Sequence, residues 1–431
     1  MHMRVCGIIA EYNPFHSGHA YQITEARRRS GCDYLIAVMS GDFVQRGAPA
    51  IIDKYVRARM ALEAGADLVL MLPVYASTAS AEGFARAGVS ALHTTGVTDA
   101  LSFGCEDPAI CSEPYRDLAR RLSHESPEFQ SVLRSALSDG LPYAQARTDA
   151  IHACYGDACD PALLDHPNNL LAFEYLRAIE YLHAGLQPYP VRRLGSYHGS
   201  ASDAGCPDAS GTPDHPQNYL SAGACRELLA KDPHAALNTL YREEQLPERS
   251  YELLQEYTRR YAFVAEQDLS AALHYALLAQ RSTGYGSYLD CSQDLSARIR
   301  QSLPAYMDFS KFCDLLKNKS LSRARIARVL MHILLQLPAD PPAPLIDTNG
   351  CLPYLRVLGF RSSATDLLHE IKQRSHAPLI TRPAQAHELL TAEADTYFAQ
   401  DIFASDVYRS VLSHKCGHCE ADDYRRRIEI V

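Results

Sequence analysis

Uninterrupted apolar runs alternate with amphipathic stretches over the first quarter of the chain. Residues 5–10 (VCGIIA) run straight into Glu11 with no polar position between them. So short a run, without two-residue alternation, predicts a strand covered on both faces, as in a parallel sheet. Runs of the same kind recur at 34–39 (YLIAVM), 67–72 (DLVLML) and 100–103 (ALSF). Between them the spacing turns helical. Residues 20–29 suit a helix closed by Gly31. A second helix follows Asp53, carries Val56, Met60, Ala61 and Ala64 on one stripe, and ends at Gly65; a third covers 81–92. This alternation predicts an α/β fold with a Rossmann-like, doubly wound parallel sheet, whose ligands bind at the C-terminal strand ends. The loops 12–16 and 40–47, and Gly104, all fall at those ends.

Beyond residue 108 the pattern is mainly helical. His166-Pro167-Asn168-Asn169 precedes a helix over 170–183, and 191–198 reads as a short strand running into a loop. The stretch 200–218, rich in Gly, Pro, Asp and Ser, reads as a mobile loop. Residues 221–226 (SAGACR) open another helix. From 227 onward the clearest helices are 269–278 and 326–335, the second with Ile326, Val329, Leu330, Ile333 and Leu334 on one stripe. Four prolines in 338–344 predict a stiff linker. The remainder mixes helix with a short strand near the end.

The chemistry concentrates where the first strand hands over to the first helix. Pro14 removes a backbone donor and pushes Asn13 out of the helical region, forcing a tight loop. His16-Ser17-Gly18-His19 follows. A helix start is an anion site, because unpaired N–H groups and the positive end of the dipole face outward. His16 and His19, three apart, share one helix face, and Gly18 lets a ligand approach the backbone. Imidazoles so placed donate to phosphate oxygens as charge builds at an α-phosphate. This is the HxGH signature of nucleotidyltransferases, and its strand–turn–helix context is what makes it specific. The alternative is a pair of solvated surface histidines.

Composition narrows the picture. The chain has 431 residues and is 47% hydrophobic, enough for a sizeable core and two or three domains. No apolar stretch approaches the ~18 residues of a membrane span, and no charged-then-apolar leader opens the sequence, so a soluble cytoplasmic protein is expected. Thirteen cysteines are scattered, as buried small side chains are in a reducing compartment. Cys416 and Cys419 form a lone CxxC, short of the second pair that a structural zinc site needs. A net charge of −9 argues against broad nucleic-acid binding but leaves room for a local basic patch. Residues 317–328 supply one: Lys317, Lys319, Arg323, Arg325 and Arg328, with no acid among them. They form either a solvated helix face or a set of phosphate contacts.

Taken in order, the blocks GIIAEYNPFHSGH, SGDFVQRGAPAI, DLVLMLP, SFGCE, PNNLLAFEY, RRLGSYH, SAGACR and KNKSLSRARIARVL resemble the tRNA(Met) cytidine acetate ligases across most of the chain. The resemblance implies a nucleotidyltransferase domain at about 1–230, with a helical insertion at about 108–185, and a mainly helical tRNA-binding domain at 231–431. It implies that acetate and ATP, accompanied by Mg²⁺, give acetyl-adenylate and pyrophosphate. The acetyl group then passes to the exocyclic amine of the wobble cytidine in elongator tRNA(Met). The ATP-binding stretch would comprise Gly7, Ile8, Ile9, Ala10, Glu11, Tyr12, Asn13, Pro14, Phe15, His16, Ser17, Gly18, His19 and Ala20, with His16 and His19 catalytic. Gly104, Asn168, Asn169, Arg193 and Arg226 would complete the pocket. Asp42, Arg46 and Lys54 are secondary candidates for acetate and pyrophosphate. Lys317, Lys319, Arg323, Arg325 and Arg328 would grip the tRNA backbone. No protein-held metal site is implied.

Two positions depart from that family. Met71 stands where glutamate is usual and Gly223 where threonine is usual. A lost hydroxyl weakens phosphate binding by on the order of 1 kcal/mol. Two other readings stay open: an HxGH adenylyltransferase acting on a small molecule, and an RNA-binding protein with a relic ATP site.

Overall fold

The computed structural model describes residues 3–141, 143–156, 159–194, 219–318 and 321–431. Lys319 and the segment 195–218, which takes in the second half of the 191–198 strand-and-loop stretch and the whole 200–218 stretch, lie outside the described residues. The strands are β1 (Val5–Ala10), β2 (Tyr34–Ser40), β3 (Phe43–Val44), β4 (Ala48–Pro49), β5 (Leu68–Leu72), β6 (Ala100–Cys105), β7 (Gln187–Arg192), β8 (Leu355–Phe360), β9 (Leu379–Ile380) and β10 (Glu429–Ile430). One sheet has the order β10-β8-β5-β2-β1-β6-β7, with β9 beside β8; β3 and β4 form a separate hairpin. The five strands β5-β2-β1-β6-β7 are parallel, in registers such as Gly7 opposite Ile36 and Ile8 opposite Ser102. The Rossmann-like reading of the first half stands. The order reverses between β1 and β6, which is where such sheets bind ligands.

Apolar runs in β1, β2 and β5 are buried because helices cover both faces. On one face Val5, Ile9, Ile36, Val38, Leu68 and Leu70 meet the helices Ala81–Thr94 and Pro167–Tyr181. On the other, Cys6, Ile8, Leu35, Ala37 and Val69 meet the helices Ser17–Ser30 and Lys54–Glu63. A third core, lined by Leu273, Phe312, Leu330 and Phe398, joins the C-terminal helices. Gly31, at φ 61°, closes the first helix, and Asp53 caps the second by accepting from Tyr55 and Val56.

The second half contributes more to the sheet than its pattern predicts. β8 pairs antiparallel with β5, and β10 lies parallel beside β8, so strands from both sides of residue 230 share one sheet. The proline-rich stretch is also more than a spacer: Pro338 bridges Tyr288, and the N–H of Ala339 donates to Ser287 O at 2.8 Å. The strand expected from 191 begins earlier, at Gln187. Its two prolines suit the sheet edge, where one side needs no donors. Among the described residues no helix is long and apolar enough to cross a membrane.

Candidate active site

The loop between β1 and its helix is fixed by its own backbone groups and by two arginines. Arg57, with no exposed surface, donates to the carbonyls of Glu11 (2.7 Å), Ser40 (3.1 Å), Ile52 (3.1 Å) and Gly41. It thereby ties the ends of β1 and β2 together. Asn13 is 2% exposed; its side chain accepts from Ile51 N–H at 2.9 Å, and its carbonyl accepts from Arg226 at 2.6 Å. The Asn13–Pro14 bond is cis, and Tyr12 has φ 49°.

His16 and His19 lie where their spacing predicts, with the rings stacked at 3.8 Å and 26°. The helix start is not the open cluster of N–H groups expected there. Ser17 N–H donates to Gln245 O, Gly18 N–H to Nδ1 of His16 at 3.1 Å, and the N–H groups of His19 and Ala20 to His16 O. His16 is itself the cap, and its N–H donates to Nδ1 of His19 at 3.2 Å. Because both Nδ1 atoms accept, a neutral ring must carry its proton on Nε2. Both rings are neutral. Burial, then Arg193 and Arg226, push His16 down to about 3. Burial, then His16 and Arg193, push His19 well below its ordinary value. Nε2 of His16 is buried without a partner among the described residues. The donors left over at this helix start are therefore imidazole Nε2–H groups. Gly18 has a second duty: a Cβ there would lie 2.9 Å from Cε1 of His16, so glycine makes room for the ring.

His16, Gly18 and His19 line one cleft together with Gly104, Arg193 and Tyr219. Gly104 stacks against the stem of Arg193, whose guanidinium donates to Asn168 at 3.4 Å. Arg226 reaches the loop from the helix Ala222–Lys231. A Cβ at Gly223 would sit 3.8 Å from its guanidinium, so the departure from threonine empties space beside a cation that is still present. Met71 packs on Gly41, its sulfur 3.2 Å from where a Cβ would stand.

Other expected residues have different duties. Gly7 sits inside β1 and makes room for Leu92, and Ile8 is fully buried in the core. Asn169 has no exposed surface. Its side chain accepts from the N–H groups of Glu106 (2.9 Å) and Asp107 (3.0 Å) and donates to Leu163 O at 3.0 Å, so it clamps a loop. The carboxylate of Glu106 takes the following helix start, accepting from Asn169 N–H at 2.7 Å and from the Asn168 side chain at 2.5 Å. Lys54 and Asp42 are buried and paired with each other. Lys54 is 3% exposed and paired with Asp42 (2.6 Å) and Asp423 (3.0 Å), beside the Arg356–Asp423 pair at 2.6 Å. Arg57, Glu106 and Gln245 escape the sequence reading, since nothing local marks them.

The basic run spans the end of the helix Phe309–Leu316 and the start of the helix Arg323–Leu334. Lys317 and Arg325 are exposed and Arg328 half-buried, whereas Arg323 is paired with Glu266 at 2.5 Å. Gly47, in the β3–β4 hairpin, abuts this helix: a Cβ there would lie 2.4 Å from Arg328 N. The same hairpin supplies the N–H of Gln45 that donates to the Glu11 carboxylate at 2.9 Å. The basic helix thus borders the active-site loops. Among the described residues no group of three His, Cys, Asp or Glu side chains could hold a metal.

Comparison with known proteins places this geometry. The model of the HIGH Nucleotidyl Transferase family matches residues 3–423. The tRNA(Met) cytidine acetate ligase of Thermoanaerobacter sp. (strain X514) is 32% identical over 94% of this chain and 95% of that protein. The one from Clostridium kluyveri is 34% identical over 90% and 92%. Crystal structures of Thermotoga maritima TmcAL, bound with alpha-thio ATP and apo, superpose with TM-scores of 0.84 and 0.87 at 25% identity over the whole of both chains. The chain belongs to the tRNA(Met) cytidine acetate ligase family of HIGH nucleotidyltransferases.

Proposed function

We propose that this chain joins acetate to ATP as acetyl-adenylate and transfers the acetyl group to the exocyclic amine of the wobble cytidine in elongator tRNA(Met), in the cytoplasm. The observation that carries the reading is the stacked His16–His19 pair, held as neutral Nε2–H donors at the point where the sheet order reverses.

Acetate is a weak nucleophile and a poor acyl donor. Attack of its oxygen on the α-phosphate, with pyrophosphate leaving, yields a mixed anhydride. The protein's part is positioning and charge stabilisation. Preset Nε2–H donors need no proton change to receive the developing charge on phosphate. Arg193 and Arg226 supply fixed positive charge on the tail, and residues 12–20, Gly104 and Asn168 shape the pocket. Mg²⁺ neutralises the leaving pyrophosphate when bound. Among the described residues there is no cluster of acids for it, so phosphate oxygens and water would be its main ligands. Exposed Lys317 and Arg325 meet the tRNA backbone beside the hairpin, and an unstacked anticodon base can enter from that side.

The test is to incubate the protein with ATP, Mg²⁺, labelled acetate and a bacterial tRNA pool. Mass mapping should place the label as N4-acetylcytidine at the wobble position of elongator tRNA(Met). Label-free tRNA with acetate-dependent ATP consumption would refute the acceptor; AMP retained on a small-molecule product would support an adenylyltransferase.

A further inference from the structure

The carboxylates around the strand ends are almost all committed. Asp42 is paired with Lys54 at 2.6 Å. Asp53 caps a helix with one oxygen and meets Arg426 at 3.2 Å with the other. Glu106 uses both oxygens on the helix that starts at Pro167, and Asp107 caps its own turn through Ala109 N–H at 2.9 Å. Glu11 differs. One of its oxygens accepts the N–H of Gln45 at 2.9 Å; among the described residues it makes no ion pair, and it is half-buried, not sealed.

Its position is also distinct. Glu11 directly follows β1, the middle of the five parallel strands, but does not line the cleft of His16, His19, Gly104 and Arg193. Its charge raises the Tyr175 phenol, after burial, and it also favours the charged forms of Arg226 and Arg57 against their burial. Its partner Gln45 belongs to the hairpin that packs on the basic helix through Gly47 and Arg328. The carboxylate therefore stands between the nucleotide cleft and the side from which RNA would come.

We propose that Glu11 is the cytosine-recognising general base of the transfer step, its free oxygen accepting the N4 amine. This rests on the proposed acetyl-transfer reading. An exocyclic amine conjugated to a ring is a weak nucleophile, and a carboxylate is the group that accepts from cytosine N4–H. The N4 lone pair bonds the acetyl carbonyl carbon. The bond from that carbon to the adenylate oxygen breaks, and AMP leaves with the electron pair. The N4 proton passes to Glu11. A carboxylate in this place also selects against uridine, which offers an acceptor at the same position.

Glu11→Gln keeps an acceptor for Gln45 N–H and removes the base. Enzyme preloaded with ATP and labelled acetate is mixed with tRNA in single turnover, and in parallel with hydroxylamine, which captures acetyl-adenylate without help from a base. The expected result is a loss of about 100-fold or more in tRNA acetylation, with far smaller losses in hydroxamate formation and acetate-dependent ATP–pyrophosphate exchange. Glu11→Asp should recover part of the loss at unchanged tRNA KM. Transfer at the wild-type rate in Glu11→Gln, or transfer and hydroxamate falling by the same factor, would overturn the role. Wild-type enzyme lacking acetate-dependent exchange would overturn the parent reading and this one with it.

Discussion

The backbone N–H of His16 donates to Nδ1 of His19 at 3.2 Å, so the first histidine of the motif dictates which nitrogen of the second carries the proton. Gly18 does the same for His16. A loop of four residues thus presets two donors that would otherwise choose between tautomers. Preorganisation of this kind spares reorganisation when charge develops at the phosphate.

Removing either donor should be costly. His16→Ala and His19→Ala should each lower acetyl-adenylate formation by about 10²–10³-fold in kcat, the size of a lost oxyanion-type donor. Gly18→Ala should also lower kcat, since its Cβ would press on Cε1 of His16 at 2.9 Å. Acetate-dependent ATP–pyrophosphate exchange measures all three.

The pH behaviour follows from the neutral rings. His16 is held at about 3 in the fold, mainly by burial, against about 6.5 when unfolded. The unfolded chain therefore takes up a proton that the folded site refuses, so stability is complete above about pH 6.5 and is lost as pH falls toward 3. The adenylation rate should show no histidine ionisation between about pH 6 and 8. Thermal unfolding and exchange rate, each followed against pH, check the two halves of this statement.

Lys54 should matter for stability and not for acetate. Its charge is buried among Asp42, Asp423 and Ser405, at 2.6, 3.0 and 2.8 Å. Lys54→Met leaves two buried carboxylates short of a cation and should destabilise by about 3–5 kcal/mol. Arg57→Ala, which strands the carbonyls of Glu11, Ser40, Gly41 and Ile52, should cost a similar amount. Urea unfolding gives both values; the acetate KM of whatever Lys54→Met folds should stay within a few-fold of wild type.

The basic run should divide by pairing. Lys317→Ala and Arg325→Ala, at exposed positions, should weaken tRNA binding and each reduce the salt slope by about 0.7–0.9. Arg323, held by Glu266 at 2.5 Å, should contribute far less. Filter binding of tRNA across a salt series reads the difference.

Legibility in the sequence followed locality. The strands β1, β2, β5 and β6 showed themselves because apolar runs covered on both faces carry no competing pattern, and Gly31 and Asp53 mark their helix ends by backbone chemistry alone. β7 was clipped by Pro188 and Pro190, which are tolerated only because the strand is an edge. β8 was missed because Arg356 interrupts its apolar run, and the carboxylate that neutralises it, Asp423, is far away in sequence. The same holds within the site. The histidine pair and its shared face are readable from a three-residue spacing, whereas the stacking of the rings is not. The capping of the helix start by a histidine ring, the diversion of Asn169 to a loop, and the capture of Lys54 by Asp423 each depend on partners that only folding brings together.

The central claim is that the paired imidazoles assist ATP cleavage next to the ribose with acetate as the nucleophile. The most direct measurement is acetate-dependent ATP–pyrophosphate exchange by the wild-type protein and by the His16→Ala, His19→Ala double variant. The account predicts exchange that requires acetate in the wild type and falls by at least about 10²-fold in the double variant, with its fold intact by circular dichroism. Exchange that is indifferent to acetate, or that survives loss of both rings, would contradict it.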